Sequence, residues 1–429
     1  MSQGTTVVVR PARNIEGSVH LPGDKSISHR YAMLAAIAEG TTRLENFSTG
    51  VDCASTLECL QRLGVDWQRD DSAVVIHGCG PKLQAPSLHL DCGNSGSTMR
   101  MLSGILAGQE LTSELVGDES LSRRPMARII TPLETMGAKI SANNARPPLR
   151  ISGGHLRAID YKMPVASAQV KSALLFAGLF AAGETHVEEP VRTRDHGELA
   201  LRAFGAELKH SGNRASIWGG QRLRAIEARI PGDLSSAAFF LCAAALFPGS
   251  KLTITALLMN PTRARLLDIL TAMGLRISIT QLEELHGELQ GTVQVEGGTL
   301  KGATIAGADT PALIDEIPVL AAIAPFTTAG IEIRDARELR VKESDRIAAI
   351  AANLRAMGAE VQELDDGLKI PGNQKLHGAE IDSFGDHRIA MAFAIAVLRA
   401  EGETHIRRAD AAVISYPRFF DTLESLVQR

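Results

Sequence analysis

The sequence reads as an α/β protein of two domains. Each is expected to hold three βαβαββ repeats, with helices inside, sheets outside and the site in the cleft between the domains. Three observations carry that reading. A unit of roughly 70 residues recurs six times, longer than the coil of a common solenoid. The first helix of a unit is Ala-rich and apolar on nearly every face, as in 31–39, 171–182 and 237–246, which suits burial. The 429 residues also exceed a single core at about 150 residues per domain.

Segments 21–67 and 230–277 show the unit most plainly. Both open on Pro-Gly-Asp (Pro22, Gly23, Asp24 and Pro231, Gly232, Asp233), pass through an Ala-rich run and turn at a glycine into a β-like stretch. Both end a second helix in Leu-Gly or Met-Gly. Further copies open at 93–96, 166–167, 311 and 385–388. The closing glycines Gly64, Gly137, Gly205, Gly274 and Gly358 are expected just past a helix end, where a left-handed backbone favours Gly. Strands such as 292–295 follow the helices. The break between the two sets of three falls near 225–235, with no Ser- or Pro-rich linker, so the hinge is expected to be short.

Composition narrows the function. Lys plus Arg is 45 against 49 for Asp plus Glu, a net charge of −4, which excludes a globally basic nucleic-acid binder. Aromatic residues at 4% leave few platforms for stacking bases. No run approaches the roughly 18 apolar residues of a membrane span, and the first residues lack the pattern of a secretory leader, so a cytoplasmic protein is expected. Cys53, Cys59, Cys79, Cys92 and Cys242 form no CxxC pair, which points to small buried apolar residues rather than to disulfides or zinc.

The helix starts carry the chemistry. They read GDKSISHR, GNSGSTMR, ASAQVKS, GDLSSA, TPALIDE and GDHRIA. A helix N-terminus presents unpaired N–H groups and partial positive charge, so each is either an ordinary capped start or an anion site. Lys25, Arg30, Arg100, Lys171 and Arg388 stand in or near these first turns, where a cation opposes the helix dipole, so an anion is expected to offset them. Arg123 and Arg124 precede Pro125, which suits the first helical position. Arg192 and Arg194 stand in RTRDHGE, and 338–346 crowds charges around another helix start; a solvated helix face explains such a run equally well. Basic residues recurring at unit openings in an acidic protein suit small substrates carrying phosphate and carboxylate.

The segments PGDKSISHR, GNSGSTMR, RRPM, SAQVKSALL, DEIPVLA, ELRVKESDRI and GDHRIAMA resemble the 5-enolpyruvylshikimate-3-phosphate synthase family of enolpyruvyl transferases, in order and over nearly the whole chain. The resemblance implies two inside-out α/β domains that close over the substrates. It divides 15–229 from 1–14 plus 230–429, with a strand near 5–14 crossing to the domain of the last three repeats. The implied reaction moves the enolpyruvyl group of phosphoenolpyruvate to the 5-hydroxyl of shikimate 3-phosphate. No metal or other cofactor, no nucleic acid and no membrane is implied, and a monomer is expected.

Carried over residue by residue, shikimate 3-phosphate falls to Lys25, Ser26, Arg30, Ser167, Ala168, Gln169, Arg194, Asp315 and Lys342. Phosphoenolpyruvate falls to Lys25, Gly96, Arg124, Gln169, Arg346 and Arg388. Lys25, Asp315 and Glu343 are the catalytic set. Attack at C2 of phosphoenolpyruvate needs a proton delivered to C3 and one removed from the hydroxyl, work that two carboxylates and a Lys can share. The arginine forks suit carboxylate and phosphate oxygens.

Three positions depart from the family's best-studied branch and look like its divergent second class: Ile414 in place of Lys, Glu338 in place of Asn, and Ala168 in place of Ser. Arg418 is the nearest substitute for the missing Lys. A sister enzyme acting on UDP-N-acetylglucosamine is set aside, because it carries a Lys-Asn pair and a loop Cys where this chain has Lys25-Ser26 and no Cys in 117–124. A non-catalytic anion binder would have lost Lys25, Asp315 or Glu343. An RNA-processing relative fits poorly with so few aromatics. Glyphosate, which occupies the phosphoenolpyruvate site in this family, is expected to inhibit.

Overall fold

The computed structural model describes residues 4–70 and 72–429. The second, third and fifth repeats take the form the pattern predicts, while the sixth keeps only the parallel pair Glu380–Asp382 and Thr404–Arg407 of its own strands. In the second, strand Leu90–Asp91 runs parallel to Thr112–Val116, with helix Gly96–Ala107 between them in sequence. Arg146–Ser152 then pairs antiparallel, and Lys139–Asn143 pairs antiparallel with it. The same order of one parallel and two antiparallel pairings joins Asp160–Lys162, Glu184–Glu188, Arg214–Trp218 and Leu208–Ser211. It recurs in Ala303–Ile305, Ile331–Ile333, Gly367–Ile370 and Gln362–Leu364.

The helices are inside. Every residue of Leu234–Ala245 and of His387–Val397 is buried, and Lys25–Ile37 is buried from Ile27 onward. Strand Arg146–Ser152 alternates exposed and buried, so its sheet shows one face to solvent and one to the helices. Gly104 shows how tightly the helices meet. A Cβ there would lie 2.0 Å from the carbonyl oxygen of Ala173, so only Gly lets helix Gly96–Ala107 approach Ala168–Gly178.

The five closing glycines have φ between 87° and 119°. The N–H after each reaches back to a leucine carbonyl, from Val65 to Leu60, Ala138 to Leu133, Ala206 to Leu201, Leu275 to Leu270 and Ala359 to Leu354. This is one left-handed cap used five times.

The first and fourth repeats exchange their opening strands. Asn14–His20 precedes the Lys25–Ile37 helix in sequence but pairs parallel with Lys251–Leu258 of the fourth repeat. Glu227–Arg229 precedes the fourth repeat's helix but pairs parallel with Glu39–Glu45 of the first. One unit is therefore Gly23–Ile230 with Glu284–Glu288; the other is the chain up to Pro22 with Pro231–Glu283 and Leu289–Arg429. The resemblance set the first boundary at 14/15. It falls after Pro22 because strand 14–20 stays with its pairing partner. The N-terminal strand also joins the last three repeats, as Val7–Val9 against Thr404–Arg407, shorter than 5–14.

Two local expectations change. The helix after Arg124 is Ala127–Met136 with Met126 as its N-cap, so Pro125 lies just outside rather than at the first helical position. The N–H of Met126 is drawn to the carbonyl of Ala145 at 2.8 Å, which delays the helix. The fifth repeat opens on two short helices, Asp309–Leu313 and Ile317–Ile323, with Asp315 in the turn between them. Among the described residues no helix is long and apolar enough to cross a membrane.

Candidate active site

In the unit containing the first three repeats, side chains of helix starts meet. Asp24 caps Lys25–Ile37 by accepting from the N–H of Ile27. Lys25, the first helical residue, places Nζ 2.8 Å from Asp52 Oδ2, and its side chain keeps 18% exposure. Arg30 is buried and donates to the carbonyls of Ser26 at 2.8 Å and Ala168 at 3.4 Å, and to Ser172 Oγ at 3.1 Å. Burial lowers its pKa to about 10, with Glu198 and Asp24 pulling the other way and Arg194 adding to the fall. Ser26 and Arg194 are half-buried, as are Ser167, Ala168 and Gln169 at the start of Ala168–Gly178, where Ser167 is the cap.

Gln169 ties this helix to the second repeat. Its Nε2 donates to Ser97 Oγ at 2.8 Å, and its Oε1 accepts from Arg100 Nη1 at 2.8 Å. Arg124, nearly buried, donates to Asn94 Oδ1 at 2.9 Å. Gly96 sits under both guanidinium groups. A Cβ there would be 2.8 Å from Arg100 Nη1 and 3.3 Å from Arg124 Nη1.

The unit containing the last three repeats holds the second cluster, around Arg346. This side chain is 1% exposed. Its Nε lies 2.8 Å from Asp386 Oδ2 and its Nη2 2.6 Å from Glu343 Oε2. Asp315 Oδ1 stands 3.8 Å from Arg346 Nη1 and 3.8 Å from Arg388 Nε, while Arg388 Nη1 donates to the Asp315 carbonyl at 2.8 Å. Burial disfavours the Arg346 charge, but Asp386, Glu343 and Asp315 outweigh it and hold the pKa above its ordinary value. Among the described residues Arg346 Nη1 has no hydrogen-bond acceptor. A buried donor left so costs about 1–3 kcal/mol, which an arriving oxyanion would recover. Lys342 Nζ donates to Glu338 Oε1 at 3.2 Å, so the departure at 338 places a carboxylate on that lysine.

The structure thus gathers Lys25, Ser26, Arg30, Gly96, Arg124, Ser167, Ala168, Gln169 and Arg194 in one unit and Asp315, Lys342, Glu343, Arg346 and Arg388 in the other. Two supporting carboxylates escaped the sequence reading. Asp386 stood in the quoted GDHR motif, where its place as helix cap was the available signal; its anchoring of Arg346 is brought about by the fold. Asp52 lies outside every motif. Lys171 is a correction: its charge is offset internally, by Glu189 and Glu198 each at 2.7 Å, and not by a bound anion. Arg418 is exposed at the start of Phe419–Leu426, and neighbouring Tyr416 packs on Phe240 and Phe419. Cys79 is exposed, unlike the other four cysteines. No group of three or more His, Cys, Asp or Glu among the described residues could hold a metal.

His29 and His196 are core residues. His196 Nδ1 is 2.6 Å from Glu288 Oε1, both buried. His29 Nδ1 is 2.7 Å from Thr56 Oγ1, and burial, then Lys25 and Arg30, push its pKa well below the ordinary value. The unfolded chain therefore binds a proton below about pH 6.5 that the folded chain refuses, so stability falls on acidification. His29→Gln is expected to flatten the fall in Tm between about pH 7.5 and 5. Parallel Tm curves for variant and parent would contradict this.

Two units of three α/β repeats, each presenting basic side chains at its helix starts, define an enolpyruvyl-transferase type of protein. The family profile described as EPSP synthase (3-phosphoshikimate 1-carboxyvinyltransferase) matches residues 9–423. A Koribacter versatilis protein named 3-phosphoshikimate 1-carboxyvinyltransferase is 62% identical over 99% of this chain and 100% of its own length. One of the same name from Solibacter usitatus is 56% identical over 98% and 99%. A solved EPSP synthase from Acinetobacter baumannii superposes with a TM-score of 0.87 at 41% identity, covering 98% of each chain. The chain belongs to the EPSP synthase family. It is an enzyme that transfers the enolpyruvyl group of phosphoenolpyruvate to the 5-hydroxyl of shikimate 3-phosphate and releases phosphate, a step of the shikimate pathway.

Proposed function

We propose that Ser26, Arg30, Ser167, Ala168, Gln169 and Arg194 hold shikimate 3-phosphate, with Asp315 and Lys342 on its hydroxyls. Gly96, Arg124, Gln169, Arg346 and Arg388 hold phosphoenolpyruvate, and Lys25 serves both substrates. Lys25, Asp315 and Glu343 move the protons. The acceptor hydroxyl loses its proton as its oxygen bonds to C2, and C3 gains one. Expulsion of phosphate with loss of a C3 proton then restores the double bond. These steps need carboxylates that can exchange protons, and Asp315 and Glu343 keep 20% and 15% exposure beside the guanidinium of Arg346.

The open donor of Arg346 carries this reading. Asp386, fully buried, fixes the fork from one side and leaves Nη1 for a substrate oxygen. The test is phosphate release on mixing the protein with both substrates, with product mass read in parallel. UDP-N-acetylglucosamine as acceptor is expected to give no phosphate; equal release with it would overturn the acceptor assignment. A monomer working in the cytoplasm is part of the proposal.

Glyphosate is expected to compete with phosphoenolpyruvate. In Gly96→Ala the added methyl meets Arg100 and Arg124, so the guanidinium groups must shift. The inhibition constant should rise at least about tenfold and the KM for phosphoenolpyruvate less than about threefold. An unchanged ratio of the two constants would refute the steric account.

A further inference from the structure

The geometry points to Lys171, Glu189 and Thr193 as positioning residues that set Arg194 for the phosphate of shikimate 3-phosphate, making loop 190–195 a determinant of selectivity for the phosphorylated acceptor. This rests on the proposal that Arg194 holds shikimate 3-phosphate, by contact with its phosphate.

Lys171 is in the first turn of Ala168–Gly178, where the helix dipole disfavours a cation, and its side chain is 1% exposed. It is held there by Glu189 Oε2 and Glu198 Oε1, both at 2.7 Å and both on side chains 1% exposed. Glu189 has a further task. Its Oε2 accepts from the N–H of Thr193 at 3.3 Å, and its Oε1 accepts from the Thr193 hydroxyl. One carboxylate thus clamps the turn that ends at the residue before Arg194. Glu189 is itself rooted in the sheet, its N–H donating to the Asn213 carbonyl at 2.9 Å.

The second guanidinium is set from the same helix. Arg30 donates to the Ala168 carbonyl and to Ser172 Oγ, the residue after Lys171. Glu198 exerts the largest electrostatic pull on Arg30. A single buried lysine therefore ties the carboxylate that clamps the turn before Arg194 to the helix whose Ala168 carbonyl and Ser172 hydroxyl hold Arg30. Shikimate lacks the phosphate that Arg194 would hold, so discrimination between the two acceptors depends on how firmly the loop is held.

The test is steady-state kinetics on the full-length protein. Lys171→Met would leave two buried carboxylates facing one another and is expected to fold poorly. Thr193→Val keeps that triad and removes only the hydroxyl from the clamp. It should raise the KM for shikimate 3-phosphate about tenfold, leave kcat and the KM for phosphoenolpyruvate within about twofold, and be rescued by Thr193→Ser. An unchanged KM, or a joint shift of kcat and both KM values, would overturn the inference. Arg194→Ala separates the two levels. If it raises the KM while Thr193→Val does not, the clamp alone is refuted; if it too leaves the KM unchanged, the phosphate-ligand reading fails and the clamp with it.

Discussion

Lys25→Met is expected to fold and to lose turnover by at least about a thousandfold. Lys25 is the first residue of its helix, against the dipole, and in the free protein Asp52 offsets it at 2.8 Å. The lysine is not sealed by that pair, since 18% of its side chain stays exposed and can turn to substrate oxygens. Asp52 loses a partner in the variant but lies in the first turn of its own helix, Val51–Arg62, where a carboxylate is favoured. The stability loss should therefore stay near about 1–2 kcal/mol. Thermal unfolding and phosphate release on the same preparation separate the two effects. Turnover near the parent's would remove Lys25 from the catalytic set.

Asp315→Asn and Glu343→Gln are each expected to slow turnover at least about a hundredfold while the substrates still bind. Both carboxylates face Arg346, at 3.8 and 2.6 Å, and the amides keep their shape while losing the capacity to exchange a proton. Arg346 stays anchored in either variant because the buried Asp386 holds its Nε at 2.8 Å. A buried arginine with that anchor should not unseat the surrounding helices, so Tm is expected to change little. Single-turnover phosphate release checks the rate, and a variant within a few-fold of the parent would make that carboxylate structural.

Much of this was legible because it repeats. The closing glycines are read from sequence because a left-handed cap admits few other residues, and all five adopt it. The helix-start cations were legible as a group, since each breaks the rule that cations avoid N-termini. Their partners were not. Lys171 carries the same local signal as Lys25, yet its two carboxylates come from positions 18 and 27 residues further on, brought in only by the fold. The exchange of strands 14–20 and 227–229 was equally hidden. A strand's pattern says which face is buried but not which neighbour it pairs with, and both choices complete a repeat.

The central claim is that binding of shikimate 3-phosphate and the chemistry are carried by separable groups, Arg30 with Arg194 in one unit and Glu343 beside Arg346 in the other. Equilibrium titration of shikimate 3-phosphate against the parent, Glu343→Gln and the Arg30→Ala/Arg194→Ala double variant tests it directly. Glu343→Gln should bind within about threefold of the parent, and the double variant at least about a hundredfold more weakly. A double variant that binds normally, or a Glu343→Gln protein that loses binding as severely, would contradict it.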